Sequence, residues 1–295
     1  KHHTLRLSGV GMMRMRGKSR NEGGRPKTLD VTLKQGKWYA SVVFDVPCIE
    51  RKRGNMAIGF DWGLEHFATM VDHQGHVGLI ENPRHTRKAR QKLRKSQRKL
   101  AKQKRGSKRR DKTRCRVANL HRNVANQRKE FLHQTSARIV SQCALIATEQ
   151  LNIKAMTSHG GAYKKGLNRE ILSTSPGMFF EMLKYKAEEA GTMYLEAPTR
   201  TLKPSQRCHK CKFVRKKSLS ERVHRCGCGM VCPRDVNTSA LLVSWGLAQL
   251  APEKRQELAL RGGVTIEPMG ISLKLESFPM KRETPPISPQ AIGWM

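Results

Sequence analysis

Apolar residues in this chain repeat at two spacings, every second position in some stretches and at helical intervals in others. Leu29, Val31 and Leu33 alternate with polar residues, and after a Gln35-Gly36-Lys37 turn Trp38, Ala40, Val42 and Phe44 do the same. This predicts a hairpin with one buried face. The preceding piece, Lys1 to Lys27, is basic and shows no clean period. From Asn55 to Asp72 the pattern sharpens: Met56, Ile58 and Phe60 share one face of a strand, a glycine-bearing turn follows, and a second apolar run begins. A turn at Asp72-His73-Gln74-Gly75 leads into a third strand through Val77 and Ile80, which completes an antiparallel meander. Asp61 stands where the first of these strands ends.

Helical spacing then takes over. Ala89, Leu93 and Leu100 form one set and Val117, Leu120, Val124 and Phe131 another, with Gly106-Ser107 between them, which predicts two helices joined by a basic turn. Residues Ile139 to Glu149 pass from helix into a buried strand, Ala144 to Ala147, that ends on a second acid, Glu149. The polar, basic segment Thr157 to Arg169 is expected to be a mobile loop. Ser175-Pro176 opens a helix with Phe179, Met182, Leu183 and Ala187 on one face, and Ala190-Gly191 closes it. A strand from Thr192 to Glu196 follows. Strand, helix and strand in that order predict parallel additions to the meander, hence an α/β fold. A last helix is expected over Thr238 to Leu247. From Ala251 to Met295 the chain turns proline-rich and is expected to be disordered.

Composition narrows the partners. Of 295 residues 37% are hydrophobic, enough for a core, but 58 Lys and Arg oppose 23 Asp and Glu, a net charge of +35. Such a surface repels itself unless it meets a polyanion, so nucleic acid leads and a membrane is not expected. Between Arg84 and Lys129 there are 21 Lys and Arg and one acid, Asp111. That density suits a helical arm, residues 84–135, that grips a nucleic-acid backbone without reading sequence. No apolar run approaches the roughly 20 residues of a membrane span. The protein is read as cytoplasmic, prokaryotic and nucleoid-associated. It opens on Lys1 rather than Met and is read as a fragment or processed product.

Four of the eight cysteines crowd together, Cys208-x2-Cys211 and Cys226-Gly-Cys228. Two tight turns offering four thiolates suit one structural zinc ion, with no open position for chemistry. Cys232 rivals Cys228 as the fourth ligand. The ribbon, residues 204–234, delivers Asp235 to the start of the last helix. Taken singly, Asp61 reads as well as a turn acid, and Asp235 as a helix cap. Taken together, Asp61, Glu149 and Asp235 stand at the ends of two strands and a helix. An RNase H-like sheet brings such ends together, and clustered carboxylates suit two Mg²⁺ ions acting on a phosphodiester.

GFDWGLEHFAT, ATEQLNIKAM and the CxxC…CxC ribbon followed by PRDVN resemble the three RuvC motifs and inserted zinc ribbon of TnpB-type proteins, the OrfB family of insertion sequences. That family is related to the type V CRISPR effector nucleases. The likeness runs from about Leu29 to Leu250. It implies an RNA-guided DNA endonuclease with DNA and guide RNA as partners. Asp61, Glu149 and Asp235 match the family's metal-binding acids, Cys208, Cys211, Cys226 and Cys228 its zinc ligands, and Asn237 a supporting residue. Pro233 stands where the family usually has an Asp. The resemblance divides the chain into the closing strands of a β-rich wedge domain (1–54), a RuvC nuclease domain (55–250) and the tail (251–295), the front being N-terminally truncated. Two other functions remain open: a guide-RNA-dependent DNA binder without cleavage, and a transposase performing strand transfer.

Overall fold

The computed structural model describes residues 3–16, 24–34, 36–46, 54–158, 160–218, 220–256 and 271–274. The chain divides into two units, Lys1–Ile49 and Glu50–Met295.

In the first unit β1 (His3–Leu7) pairs antiparallel with β2 (Gly11–Met15), and β3 (Arg25–Lys34) with β4 (Lys37–Asp45). The first hairpin falls in the stretch that showed no clean period. Leu5, Leu7, Met13 and Met15 do share a half-covered face, but each strand is too short for the pattern to stand out. In the second hairpin the register sets Leu29 opposite Val42, Val31 opposite Ala40 and Leu33 opposite Trp38. The expected face therefore exists, but it is not buried: Leu33 is 55% and Trp38 65% exposed. Two strands alone have no second layer to cover such a face.

The second unit is built on one mixed sheet. Its strands are β5 (Met56–Trp62), β6 (His66–Asp72), β7 (Val77–Glu81), β8 (Cys143–Glu149) and β9 (Met193–Ala197), in the order β7-β6-β5-β8-β9. β5, β6 and β7 form the antiparallel meander, while β8 and β9 join parallel to β5.

Between β7 and β8 run α1 (His85–Lys102) and α2 (Lys108–Gln142). Ser107 caps α2 by accepting from Arg110 N, and the Arg110 guanidinium donates to the Leu100 and Gln103 carbonyls that end α1. α2 continues unbroken from the basic arm into the core. There its Leu132, Ile139 and Val140 pack with Ile58, Phe60 and Phe67 of the sheet and with Phe179 and Leu183.

The segment Thr157 to Arg169 is not a loop: α3 (Ile153–Ser158) and α4 (Ala162–Thr174) occupy it. Within it Ala162, Lys164, Lys165, Leu167 and Arg169 are good helix formers, and buried Ile171 anchors α4. α5 (Pro176–Ala190) ends at Gly191, whose φ of 65° is the left-handed conformation that glycine adopts without strain. After β9 come α6 (Thr199–Leu202), the short strands β10 (Val223–Arg225) and β11 (Val231–Pro233), and α7 (Arg234–Ala248), which starts at Arg234 rather than Thr238.

α7 covers the sheet face opposite α2 and α5, packing Val236, Ala240, Val243 and Leu247 on Ala57, Val71 and Leu145. The approach is close because Gly59 lies beneath it: a Cβ there would meet Ser239 O at 1.8 Å. The disordered tail expected from Ala251 lies partly outside the described residues. Residues 271–274 are ordered, with Ile271 buried beside Val71, Leu247 and Leu250, and Lys274 N donating to Gly75 O at 2.9 Å. A single apolar anchor in a segment without period leaves no signal in the sequence.

Candidate metal and nuclease site

Alternation along two neighbouring strands sets the first two acids. On β5, Ala57 and Gly59 face α7, so Asp61 faces α7 too; on β8, Leu145 and Ala147 face α7, so Glu149 does as well. The parallel register pairs Gly59 with Ala147 and Phe60 with Thr148, which brings the two acids to the same end of adjacent strands. Asp235 comes from the opposite layer, in the first turn of α7. Pro233 is the residue before this helix and no side chain caps it, so Asp235 lies inside the first turn rather than at the cap. All three carboxylates are half-buried.

They are close enough to perturb one another. Burial holds the Asp61 carboxyl well above its ordinary value, the charges of Glu149 and Asp235 push the same way, and Arg234 opposes them. Burial and then Asp235 push Glu149 up to about 7, again against Arg234. Arg234 reaches Asp235 at 3.6 Å and also donates to Glu221 O at 3.1 Å. Oxygen donors that resist ionising beside one another are the set that a hard divalent cation relieves, so the residues fit Mg²⁺. The three are not drawn as tightly together as the cysteines described next.

The sulfurs of Cys208, Cys211, Cys226 and Cys228 all lie within 4.8 Å of one another. Cys208 and Cys228 are 3.8 Å apart, Cys211 and Cys226 3.4 Å. A tetrahedron with Zn–S bonds of roughly 2.3 Å has edges of about 3.8 Å, so the donors fit zinc. Each pair is shaped by its own turn: Lys212 N donates to Cys208 O, and Gly229 N to Cys226 O with Gly229 at φ 85°. The Phe213 backbone N–H holds the Cys211 thiol down at about 7, whereas burial pushes Cys208 up to about 12. Cys232 is buried in β11, outside the cluster.

Asn237 joins the two sites. Wholly buried on α7, it accepts from His209 N at 3.0 Å and shares a bond with His209 Nδ1 at 3.1 Å, while its Nδ2 donates to Arg207 O at 2.8 Å. The first cysteine turn is thereby fixed to the helix that carries Asp235. Sequence reading missed His209 and Arg234. His209 lies inside the first CxxC pair and Arg234 directly before Asp235, so position beside a motif was the signal available.

Two family models match the chain. One, OrfB_IS605, described as a probable transposase, covers residues 41–159 and hence Asp61 and Glu149. The other, Cas12f1-like, TNB domain, covers residues 177–241 and hence the four cysteines, Asp235 and Asn237. A Streptomyces pristinaespiralis protein named "Putative RNA-guided DNA endonuclease" is 30% identical over 255 residues, 84% of this chain and 61% of that protein. An Escherichia coli (strain K12) protein named "Putative RNA-guided DNA endonuclease InsQ" is 30% identical over 260 residues, 83% of this chain and 62% of that protein. The chain thus spans under two thirds of the length of these relatives. Among solved structures, a CRISPR-Cas12f ternary complex aligns at a TM-score of 0.49 and 15% identity, over 73% of this chain and 44% of that one. A Cas12f1-sgRNA-target DNA complex aligns at 0.46 and 14%, over 73% and 55%.

Proposed function

Because this chain belongs to the OrfB, TnpB-type family of insertion-sequence proteins, we propose that it is an RNA-guided DNA endonuclease with a RuvC-type site at Asp61, Glu149 and Asp235. The observation that carries the reading is the meeting of these three carboxylates from β5, β8 and α7, at least two of them held back from ionising by burial and by one another. On this reading residues 55–250 are the nuclease domain, 84–135 its basic arm, 204–234 its zinc ribbon and 1–54 the closing strands of a wedge domain. Its partners are DNA and a guide RNA, met in the cytoplasm at the nucleoid.

Two magnesium ions held by the three acids would supply activation of water and stabilisation of the leaving oxygen at the scissile phosphate. The chain's own part is placement. Pairing of β5 with β8 fixes Asp61 and Glu149 side by side, so neither can retreat from the other's charge. α7 brings Asp235 over them, and Arg234 beside it offers a cation to balance the carboxylates or to meet a phosphate. The four cysteines would hold zinc as a structural ion, and Asn237 passes the position of that ribbon on to α7. The basic arm grips backbone phosphates by charge, leaving the choice of sequence to base pairing.

The reading is tested by purifying the full chain with the RNA it carries and adding Mg²⁺ and a DNA duplex that matches that RNA. Breaks in the matching duplex are expected, and a duplex that stays intact would refute cleavage in favour of guide-dependent binding alone. A second reading, strand transfer by the same acids, is favoured by the transposase description of the matched family model. Joined products from labelled transposon ends would support it.

A further inference from the structure

The four tail residues Ile271 to Lys274 sit where three parts of the second unit meet. Ile271 is 8% exposed and buried with Val71 of β6, with Val243 and Leu247 of α7, and with Leu250. Its backbone lies against the imidazole of His209, which Asn237 ties to the first turn of α7. Three residues on, Lys274 N donates to Gly75 O at 2.9 Å, and Lys274 forms a parallel bridge with His76 at the turn between β6 and β7. The Lys274 ammonium can only donate, so His76 Nε2 accepts from it at 3.2 Å. His76 Nδ1 therefore carries the proton and donates to buried Asp72 at 2.9 Å. Asp72 also accepts from Gln74 N and His76 N, which shapes the turn that receives Lys274. The fit at Gly75 is close: its φ is 84°, and a Cβ there would meet Ser272 O at 1.9 Å.

These contacts join much and hold it thinly. Of the four residues Ile271 alone is buried, while Ser272 and Lys274 are exposed, as is His76. One buried side chain and a few hydrogen bonds are offset by the entropy lost in ordering four residues. A segment so held detaches more readily than the sheet and α7 beneath it. We propose that Ile271 to Lys274 form a releasable strap that, when docked, locks the first cysteine turn and α7 to the β6–β7 turn. Release would loosen ribbon and helix together while the sheet stays intact. The hold on the ribbon stands on contacts alone; its consequence for Asp235, which α7 carries, rests on the nuclease reading.

The test is amide hydrogen exchange of the full chain, read by mass spectrometry, with zinc loss to a chelator followed on the same sample. Ile271→Asp should speed exchange by on the order of tenfold at Gly75 to Val77, at His209 to Lys212 and in α7, while β5 and β8 keep wild-type protection. It should also shorten the time to lose zinc. Ile271→Val keeps the anchor and should exchange like wild type. Lys274→Ala removes an exposed side chain, leaves the core alone, and should speed exchange roughly fivefold at Gly75 and His76. Unchanged exchange at the ribbon and the turn in Ile271→Asp would overturn the strap. Equal acceleration everywhere, the sheet included, would make Ile271 a plain core residue and overturn it as well. Should Ile271→Asp fail to fold, Ile271→Ala takes its place with the same expectations. Unchanged exchange in Lys274→Ala would remove the latch at His76. Because no cleavage is read, a chain that never cuts DNA keeps the strap and loses the nuclease reading.

Discussion

At the residue scale, ionised Glu149 weakens the fold, as the proposed metal ligand would without its cation. Its carboxyl rises from the ordinary 4.5 to about 7, first through burial and then through Asp235. The folded state therefore holds the proton more tightly than the unfolded state between those two values. Stability is full below about pH 4.5 and falls as pH climbs toward 7, and Asp61 adds a slope of the same sign. In buffer without divalent cations, Glu149→Gln should flatten this decline and raise the melting temperature near pH 8, by at most about 3 kcal/mol of stability. It should also abolish cutting. Parallel pH–melting curves for the variant and the parent would show that the carboxylate is not under strain. Asn237 acts in the opposite sense. Its replacement by Ala leaves His209 N and Arg207 O without partners in a buried place, at a cost of about 3 kcal/mol. Chemical denaturation measures that loss, and no loss would deny Asn237 its role as a tie.

At the scale of elements, the site depends on α7 lying flat on β5. Gly59→Ala would drive a methyl group into the Ser239 carbonyl and lift the helix that brings Asp235, so both stability and cutting should fall. Wild-type melting and activity in that variant would show that α7 can shift without harm. Cys208→Ser should free the ribbon and weaken cutting even with Mg²⁺ in excess, since the ribbon reaches the acids only through α7. Zinc content and cutting measured on the same sample decide this.

The sheet was legible in the sequence because short apolar runs bounded by turn residues, such as Met56 to Phe60 and Ala144 to Ala147, are what strands covered on both faces require. Proximity of Asp61 and Glu149 followed from it, since each ends an apolar run, while Asp235 was read from the start of the last helix. α4 was not legible: its polar residues and Gly166 suit a loop as well as a helix, and only burial of Ile171 selects the helix. Spacing also could not separate Cys228 from Cys232, because the β10–β11 pairing that turns Cys232 away is a tertiary outcome. The reach of Asn237 back to His209 was invisible for the same reason.

At the scale of the whole molecule, the excess of 58 cationic over 23 acidic side chains favours association with a polyanion. Affinity for nucleic acid should fall steeply with salt, log K dropping by about 0.9 per phosphate neutralised on a duplex. A flat response would remove the arm from the binding surface. On the proposed reading grip and chemistry are separate properties: the basic arm would hold nucleic acid, and the three carboxylates would act on it. The most direct measurement compares wild type with Asp61→Asn, both carrying their copurified RNA, for cutting of a matching DNA duplex as Mg²⁺ is titrated. The account predicts Mg²⁺-dependent breaks by the wild type and none above background by Asp61→Asn, with RNA and DNA binding retained in both. Equal cutting by the two proteins would contradict it.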